Sequence, residues 1–275
     1  MEPDDPCAQP TTADIVTGSL LLVGVCAAYV PQVVEIVLKK SSDGVSGFFV
    51  VLALLSASCT AVNAIITFWP GLMCCKTTEL GLCIAIQLPL LQLVLPLLFS
   101  FVVLGAYAHY SVPNRNRGCA ALGASMLFTL AAFCAPLFMV LANDGTRAQA
   151  VVYATVAGLA GGVLAMVTFL PQIVTTNKLK RKGSLSVPAL VVMFVGNWIV
   201  AAYLLLNDGG FSLVSIALVS QNFVTAIEIG VLLAMLVVFA LRRRRLRSLG
   251  INDESSIREK NKFIEVTTDS TPLLK

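Results

Sequence analysis

The sequence predicts an all-α membrane protein with seven transmembrane helices, arranged as two parallel triple-helix repeats joined by a linker helix. Three observations lead to this fold class. Of the 275 residues, 57% are hydrophobic and only 12% are charged, against roughly a quarter charged in soluble domains. A spanning helix needs about 20 mostly apolar residues, and seven such stretches occur. A motif in the first stretch also recurs 140 residues later, in the fifth.

The seven predicted spans follow one another with short connections. The acidic flank at residues 1–14 differs from the basic start of a secretory signal peptide, so we expect the first span to be retained. Pro89 and Pro96 predict a kink in the long third span, which neighbouring helices can tolerate. The spans lie at residues 15–38, 46–69, 79–107, 118–142, 150–177, 184–206 and 212–241.

Lysine and arginine concentrate in alternate connections. Short cytosolic loops are enriched in these residues, so the N-terminus is predicted to be lumenal and the C-terminus cytosolic. The intervening connections hold one basic residue or none. The basic residues assigned to the cytosolic side are Lys39, Lys40, Arg115, Arg117, Lys178, Lys180, Arg181, Lys182, Arg242 to Arg245 and Arg247.

The internal repeat divides the chain into domains. The 140-residue offset maps helix 1 onto helix 5 and helix 2 onto helix 6, so both copies enter the membrane from the same side. Helix 4 is then a linker that lets the second repeat match the first, a plan known among secondary transporters. The predicted domains are a lumenal segment 1–14, a first repeat 15–107, a linker 108–142, a second repeat 150–241 and a disordered tail 242–275. The matched pairs are Pro31 with Pro171, Gln32 with Gln172, Lys40 with Lys180, and Ser46 with Ser186.

The paired prolines predict two hinges. A proline removes one helical hydrogen bond, so helices 1 and 5 are expected to bend or loosen near Ala27 and Val167. The glutamine beside each proline, Gln32 or Gln172, is expected to face a cavity or bond a freed carbonyl, because an unpaired amide is costly away from water. The alternative is that both pairs only kink the helices to improve packing.

These motifs carry a family resemblance. Each proline–glutamine pair is followed by a basic turn, "KKSSDGVSGFF" in the first repeat and "KRKGSLSVPAL" in the second. Both resemble the signatures of PQ-loop proteins, which include lysosomal cystine and cationic amino acid exporters and are related to the SWEET sugar carriers. The resemblance implies transport by alternating access. Where the amino acid exporters have an Asp for proton coupling this chain has Gly183, while the first turn contains Asp43, a candidate for that role.

Polar residues inside the spans are candidate contacts for a solute. Such residues usually face the bundle interior or a water path, and here they come from equivalent helices of both repeats. The alternative is that they are satisfied by their own helices. The candidates are Asn63, Gln87, Asn177, Asn197, Trp198, Gln221 and Asn222.

Glu228 is the most costly residue to place in a membrane. It lies well inside the seventh span, and no other span has a basic residue at a matching depth. Desolvation favours the neutral form of a carboxyl. Glu228 is therefore predicted to carry a proton or to balance the charge of a cationic solute. A permanently neutral acid bonded to a neighbour is the alternative.

The remaining composition excludes several functions. The net charge of +4 comes largely from loop and tail residues, so no nucleic-acid partner is expected. The arginine run at 242–245 is interpreted as an anchor for the last span, with an anionic-lipid site as the alternative. Cysteines in the spans, Cys83 among them, are predicted to be apolar core residues, whereas Cys7, Cys74 and Cys75 are lumenal and free to form a disulfide. No metal, cofactor or enzyme motif is found.

The C-terminal tail contains a sorting motif. Asp269 precedes Leu273 and Leu274 in the spacing of an acidic dileucine signal, which resembles the adaptor-read signals of lysosomal and vacuolar proteins. We therefore expect a clathrin adaptor as partner, with membrane lipids, protons and a small-molecule solute. The predicted function is export of an amino acid from the lysosome or vacuole, coupled to protons. A facilitative sugar carrier and a non-transporting receptor or scaffold are the alternatives.

Overall fold

The structure, a computed structural model, describes residues 10–110, 123–124, 127–129, 131, 147–180, 183–207 and 213–248. The long described ranges are helical, with two short turns between helices that matter below. The helices are α1 (Thr12–Lys39), α2 (Gly47–Cys74), α3 (Leu80–Tyr110), α4 (Arg147–Val167), α5 (Leu170–Leu179), α6 (Val187–Asn207) and α7 (Leu213–Ser248).

These helices form a multi-pass membrane protein. In the described ranges, five helical segments are long and apolar enough to cross a membrane, and α6 holds a shorter apolar stretch at Val187–Ala202. The fifth predicted span is divided between α4 and α5. The fourth predicted span, 118–142, lies almost wholly outside the described residues, as do the predicted N-terminal segment and nearly all of the tail.

Both repeats pack their helices in the same order. In the first repeat α3 packs against α1 and α2, and in the second α7 packs against α4, α5 and α6. The third helix of each repeat is therefore the central one.

Each repeat has its own apolar core. The first core contains Val45 and Val50 with residues of α1 and α3. The second contains Leu185 and Leu190 with residues of α7. Val45 and Leu185 are 140 residues apart, as are Val50 and Leu190. The sequence repeat is therefore also a repeat of packing, and each triple-helix unit buries its own apolar surface.

The repeats meet most extensively along α2 and α4, and less so along α1 and α6. Glycines on α4 allow the close approach. A Cβ built on Gly161 would lie 3.0 Å from Thr60 Oγ1 and 3.2 Å from the Ser56 carbonyl oxygen. Ser56 Oγ donates a 2.9 Å hydrogen bond to the Gly161 carbonyl. Small residues commonly bring membrane helices into contact in this way.

The two proline positions differ in structure. Helix α1 continues through Pro31 to Lys39, whereas the second copy is interrupted between Val167 and Leu170. Both prolines lack an N–H, so the interruption needs a further cause. The Thr168 hydroxyl donates to the Leu164 carbonyl, and such local bonds compete with regular helix. The first repeat has Ala28 at that position, which has no polar side chain to compete.

One prediction about the cysteines is wrong. Cys83 is disulfide-bonded to Cys75, so it is not a core thiol. The bond joins the end of α2 to the first turn of α3, at the opposite end of these helices from the turn between α1 and α2. Cys74 is disulfide-bonded as well, while Cys26 and Cys59 are free thiols.

Candidate functional site

The two basic turns have similar backbone geometry. We define the first turn as residues 40–46 and the second turn as residues 180–186, of which 181–182 lie outside the described residues. Each begins with a lysine in the left-handed region, Lys40 at φ 47° and Lys180 at φ 51°. A left-handed residue commonly ends a helix and turns the chain sharply. Each turn then leads into the next helix.

The PQ glutamines exchange hydrogen bonds between the repeats. Gln172 donates from Nε2 to the Gly44 carbonyl at 2.8 Å, and its Oε1 accepts the backbone N–H of Ser46 at 2.8 Å. Gln32 does the same with the other turn. Its Nε2 donates to the Ser184 carbonyl at 3.2 Å, and its Oε1 accepts the Ser186 N–H at 2.9 Å. Each repeat therefore holds the turn of the other.

This exchange corrects the expectation for the glutamines. The carbonyls that the prolines free belong to Ala27 and Val167, a turn earlier in each helix. The amides instead bond the backbone of the opposite turn, where a donor and an acceptor lie two residues apart. A carboxamide presents a donor and an acceptor side by side, so it can satisfy both at once.

The turns also touch each other directly. Ser184 N–H donates to the Asp43 carbonyl at 2.7 Å, and Ser184 Oγ donates to the Ser41 carbonyl at 2.5 Å. Lys39 Nζ donates to the Gly183 carbonyl at 2.5 Å and pairs with Glu35 at 2.7 Å, as its helical spacing predicts. We call these contacts, together with the glutamine bonds, the turn latch.

Gly183 is required by this close approach. A Cβ at this position would lie 2.3 Å from the Asp43 carbonyl oxygen and 2.7 Å from Gly44 Cα, shorter than any van der Waals contact. The Gly183 φ of 55° also favours glycine. The absence of an Asp at this position, noted as a departure from the amino acid exporters, therefore has a structural cause. Asp43 lies opposite it in the first turn.

An aromatic pair links the repeats next to the turn latch. The rings of Phe49 on α2 and Phe169 at the α4–α5 break lie 5.1 Å apart, and Phe169 is buried. Through this pair Phe49 of the first repeat packs against the apolar core of the second.

Glu228 faces the break between α4 and α5. The backbone N–H of Phe169 interacts with its carboxyl, and the side chain is only 6% exposed. Thr225 lies one turn earlier on α7 and is also buried. Among the described residues, none forms a hydrogen bond with Glu228 Oε2 or Thr225 Oγ1. A carboxyl oxygen in such a position can take part in a further hydrogen bond, as an acceptor when ionised and as a donor when protonated.

Some predicted solute contacts come together on α4. A Cβ on Gly158 would lie 2.8 Å from Asn63 Nδ2, and one on Gly162 would lie 3.2 Å from Gln221 Oε1. The amides of Asn63 and Gln221 therefore approach successive turns of one helix from α2 and α7. Asn222 follows Gln221 on α7.

The other predicted contacts are dispersed. Gln87 on α3 is buried, and neither polar atom of its side chain has a hydrogen-bond partner in the described part of the chain. Asn197 Nδ2 donates to the Met193 carbonyl of its own helix. Trp198 packs edge-on against Phe223 and is 40% exposed. Asn177 lines an outer groove between α5 and α7.

Several residues of the site were not identified from the sequence. Gly44 and Ser184 provide backbone partners for the latch. On α4, the side chains of neighbouring helices approach Gly158, Gly161 and Gly162 closely. The 140-residue offset pairs Gly44 with Ser184, and the spacing of the α4 glycines is typical of close helix contact. Both signals are visible in the sequence, but neither identifies the contacting partner.

Comparison with known proteins gives one family. The model of the PQ loop repeat matches residues 15–73 and 153–218, the regions that contain the two latch glutamines and both turns. Neither the curated proteins nor the solved structures include a significant match to the chain.

Proposed function

The chain is a PQ loop repeat protein with two copies of the repeat, and from this premise we propose that it transports a small solute across a membrane by alternating access. The turn latch is the observation that carries the proposal. The two units, each with its own apolar core, pack on each other along α2 and α4, and at one end they are also joined by hydrogen bonds that can be broken and formed again. Rigid units that move about such a contact are a common basis for conformational switching.

The latch serves as the cytosolic gate in this proposal. The enrichment of Lys and Arg around the turns favours a cytosolic location for this end, and the Cys75–Cys83 disulfide at the opposite end of α2 and α3 suits an oxidising lumen. With the latch formed, the solute path is closed to the cytosol. Transport then requires that Gln32 and Gln172 release the opposite turns.

The break in the second repeat supplies the hinge. Helix α5 carries Gln172 and begins at the break, so a rotation of α5 relative to α4 moves this glutamine away from the first turn. We assign proton coupling to Glu228, which faces the same break. An ionised Glu228 accepts the Phe169 N–H, whereas a protonated one is a poorer acceptor and can donate instead. Asp43 in the first turn is the second candidate carboxyl.

We assign an amino acid as the solute and the lysosomal or vacuolar membrane as the location. The resemblance of both turns to the amino acid exporters supports the solute, and a carboxyl at Glu228 suits coupling to the acidic lumen of these organelles. The dileucine motif at Asp269, Leu273 and Leu274 supports the location. The polar groups assigned to the solute path are those that approach α4, Asn63 and Gln221.

The first experiment measures transport directly. Leu273→Ala with Leu274→Ala is expected to bring the protein to the plasma membrane with its lumenal face outward, where currents are recorded in acidic medium during application of amino acids and sugars. A current evoked by an amino acid and lost in Glu228→Gln, but kept in the matched Asp43→Asn variant, supports the proposal. If no solute in the panel evokes a current from protein verified at the surface, a second assay with radiolabelled solutes tests electroneutral transport. Failure of both rejects the transporter.

A second experiment tests the gate. Ser41→Cys with Ser184→Cys places one thiol at the Ser184 hydroxyl, which bonds the Ser41 backbone carbonyl, and the other on the side chain of Ser41 in the same turn. Oxidation in proteoliposomes is expected to lock the latch and stop transport, and a reductant is expected to restore it. Each single cysteine variant is the control. Full transport in the cross-linked protein would contradict the gate.

A further inference from the structure

A groove on the outer surface of the second repeat is separate from the solute path. It has a volume of about 500 Å³ and lies between α5 and the middle of α7. Its lining is apolar except for Asn177, and Val174 and Val238 on its walls are 52% and 57% exposed. In a multi-pass protein an exposed apolar groove of this kind lies against lipid.

The arginine run continues the groove along α7. Successive residues of an α-helix are turned by about 100°, so residues four and seven positions after Val238 share its face. These are Arg242 and Arg245. Arg243 and Arg244 point away from this face by more than a quarter turn. The run therefore divides into two arginines above the groove and two that face elsewhere.

We propose that this groove binds an anionic phospholipid. One acyl chain lies along the apolar wall formed by Val231, Ala234 and Val238, and the phosphate contacts Arg242 and Arg245 at the end of the helix. Asn177 on the opposite wall donates from its amide to the ester region. Basic residues next to a gap between membrane helices are suited to such lipids, and here the apolar channel and the cationic end are in line.

The position of the groove gives the bound lipid a structural role. Its α5 wall belongs to the helix that begins at the break and carries Gln172. A chain held between α5 and α7 fixes α5 relative to the central helix of the repeat. The site stands without the proposed transport activity, because it rests on the groove and on the placement of the arginines.

Lipid binding can be tested on the purified full chain by native mass spectrometry. The protein is exchanged with vesicles of phosphatidylserine and phosphatidylcholine in equal amounts, and the ratio of the two retained lipids is measured. Each arginine at an anionic surface contributes a factor of about five, so Arg242→Gln with Arg245→Gln is expected to lower the phosphatidylserine preference by about 25-fold. The matched control, Arg243→Gln with Arg244→Gln, removes the same charge and is expected to lower the preference much less, because these two side chains lie off the face of the groove.

A second pair of variants tests the acyl chain. Ala234→Trp fills the groove and is expected to reduce the retained lipid several-fold, whereas Val237→Trp, on an exposed neighbouring face, is expected to have little effect. If both arginine pairs lowered the phosphatidylserine preference equally, the preference would come from general surface charge and not from a site at the groove. Unchanged retention in Ala234→Trp would overturn the groove as the binding place.

Discussion

The two repeats are alike at their turns and unlike inside the membrane. Gln32 and Gln172 make equivalent bonds to opposite turns, and equivalent residues build the two cores. Within the bilayer, the helix that carries Gln172 is broken while the helix that carries Gln32 is continuous. Among the residues that the structure describes, only the second repeat has a buried acid facing this region. The symmetric part suits a gate that both units close together, and the asymmetric part suits a hinge in one unit.

The contact between the repeats is asymmetric as well. Gly161 on α4 lets α2 approach closely, whereas the equivalent position on α1 is Leu21. The contact between α1 and α6 is also the less extensive one. The α2–α4 contact is therefore the tighter of the two, and the α1–α6 contact is the one better able to change in the proposed transport cycle.

The largest change in structure is expected from Gly183→Ala, which disrupts the turn latch, the symmetric contact between the repeats. The new Cβ overlaps the first turn, and a positive φ costs a side chain about 1–2 kcal/mol, so the turns are expected to separate. The separation is measured by thiol labelling of Ser46→Cys, a buried position, in a background in which Cys26, Cys59, Cys119 and Cys134 are replaced by alanine. Because each lost hydrogen bond contributes about 1 kcal/mol, we expect labelling to be at least about tenfold faster.

The control for this variant is Gly24→Ala, since a Cβ there meets no atom within 4 Å. Its labelling rate is expected to match the parent. Slow labelling in Gly183→Ala would mean that the latch tolerates a side chain at the contact.

The next largest loss of stability is expected when each of two equivalent residues, Gly161 on α4 and Leu21 on α1, is replaced by the residue found in the other repeat. Gly161→Leu places a side chain between α4 and α2, where overpacking costs about 1–3 kcal/mol. Leu21→Gly, at an exposed site on α1, costs about 1 kcal/mol through helix propensity. Thermal unfolding of the purified variants compares them, and an equal loss of stability would remove the distinction between the two contacts.

A smaller effect is expected in the difference of stability between Gln172→Leu and Gln32→Leu, the variants of the two latch glutamines. Gln172 is fully buried and Gln32 is only partly so, so water can replace the bonds of Gln32 more readily. Gln172→Leu leaves the Ser46 N–H and the Gly44 carbonyl unpaired, at about 1–3 kcal/mol for each buried group. We expect Gln32→Leu to destabilise the protein less, as measured by denaturation of both variants. The opposite order would show that the latch depends mainly on the second turn.

The smallest effect is expected from Lys39→Gln. Lys39 and Glu35 are 37% and 26% exposed, and exposed ion pairs contribute at most about 1 kcal/mol. The second repeat has Leu179 and Thr175 at these positions, so the pair is another difference between the repeats. A double-mutant cycle with Glu35→Gln measures the coupling, and a value well above 1 kcal/mol would make this pair a main support of the latch.

The sequence predicted an all-helical, multi-pass membrane protein because the signals for membrane helices are local. Apolar length located the helices that the structure describes, and the 140-residue offset located both turns and both glutamines. The Cys75–Cys83 bond was not found, because the position of Cys83 inside an apolar run gives no sign of the thiol facing it. The unequal effect of the two prolines was also missed, although the difference between Ala28 and Thr168 can be read in the sequence once the break is known.

By itself the sequence determined a membrane protein with two matched repeats, each with a proline–glutamine pair and a basic turn, and with an acid, Glu228, deep in the last span. The tertiary structure decided which groups meet: that each glutamine bonds the turn of the other repeat, that Gly183 must be a glycine, and that Glu228 faces the α4–α5 break. Helix formation depends on neighbours within a few residues, whereas these contacts join residues that are more than 50 positions apart. Only the packing of the two units on each other brings them together.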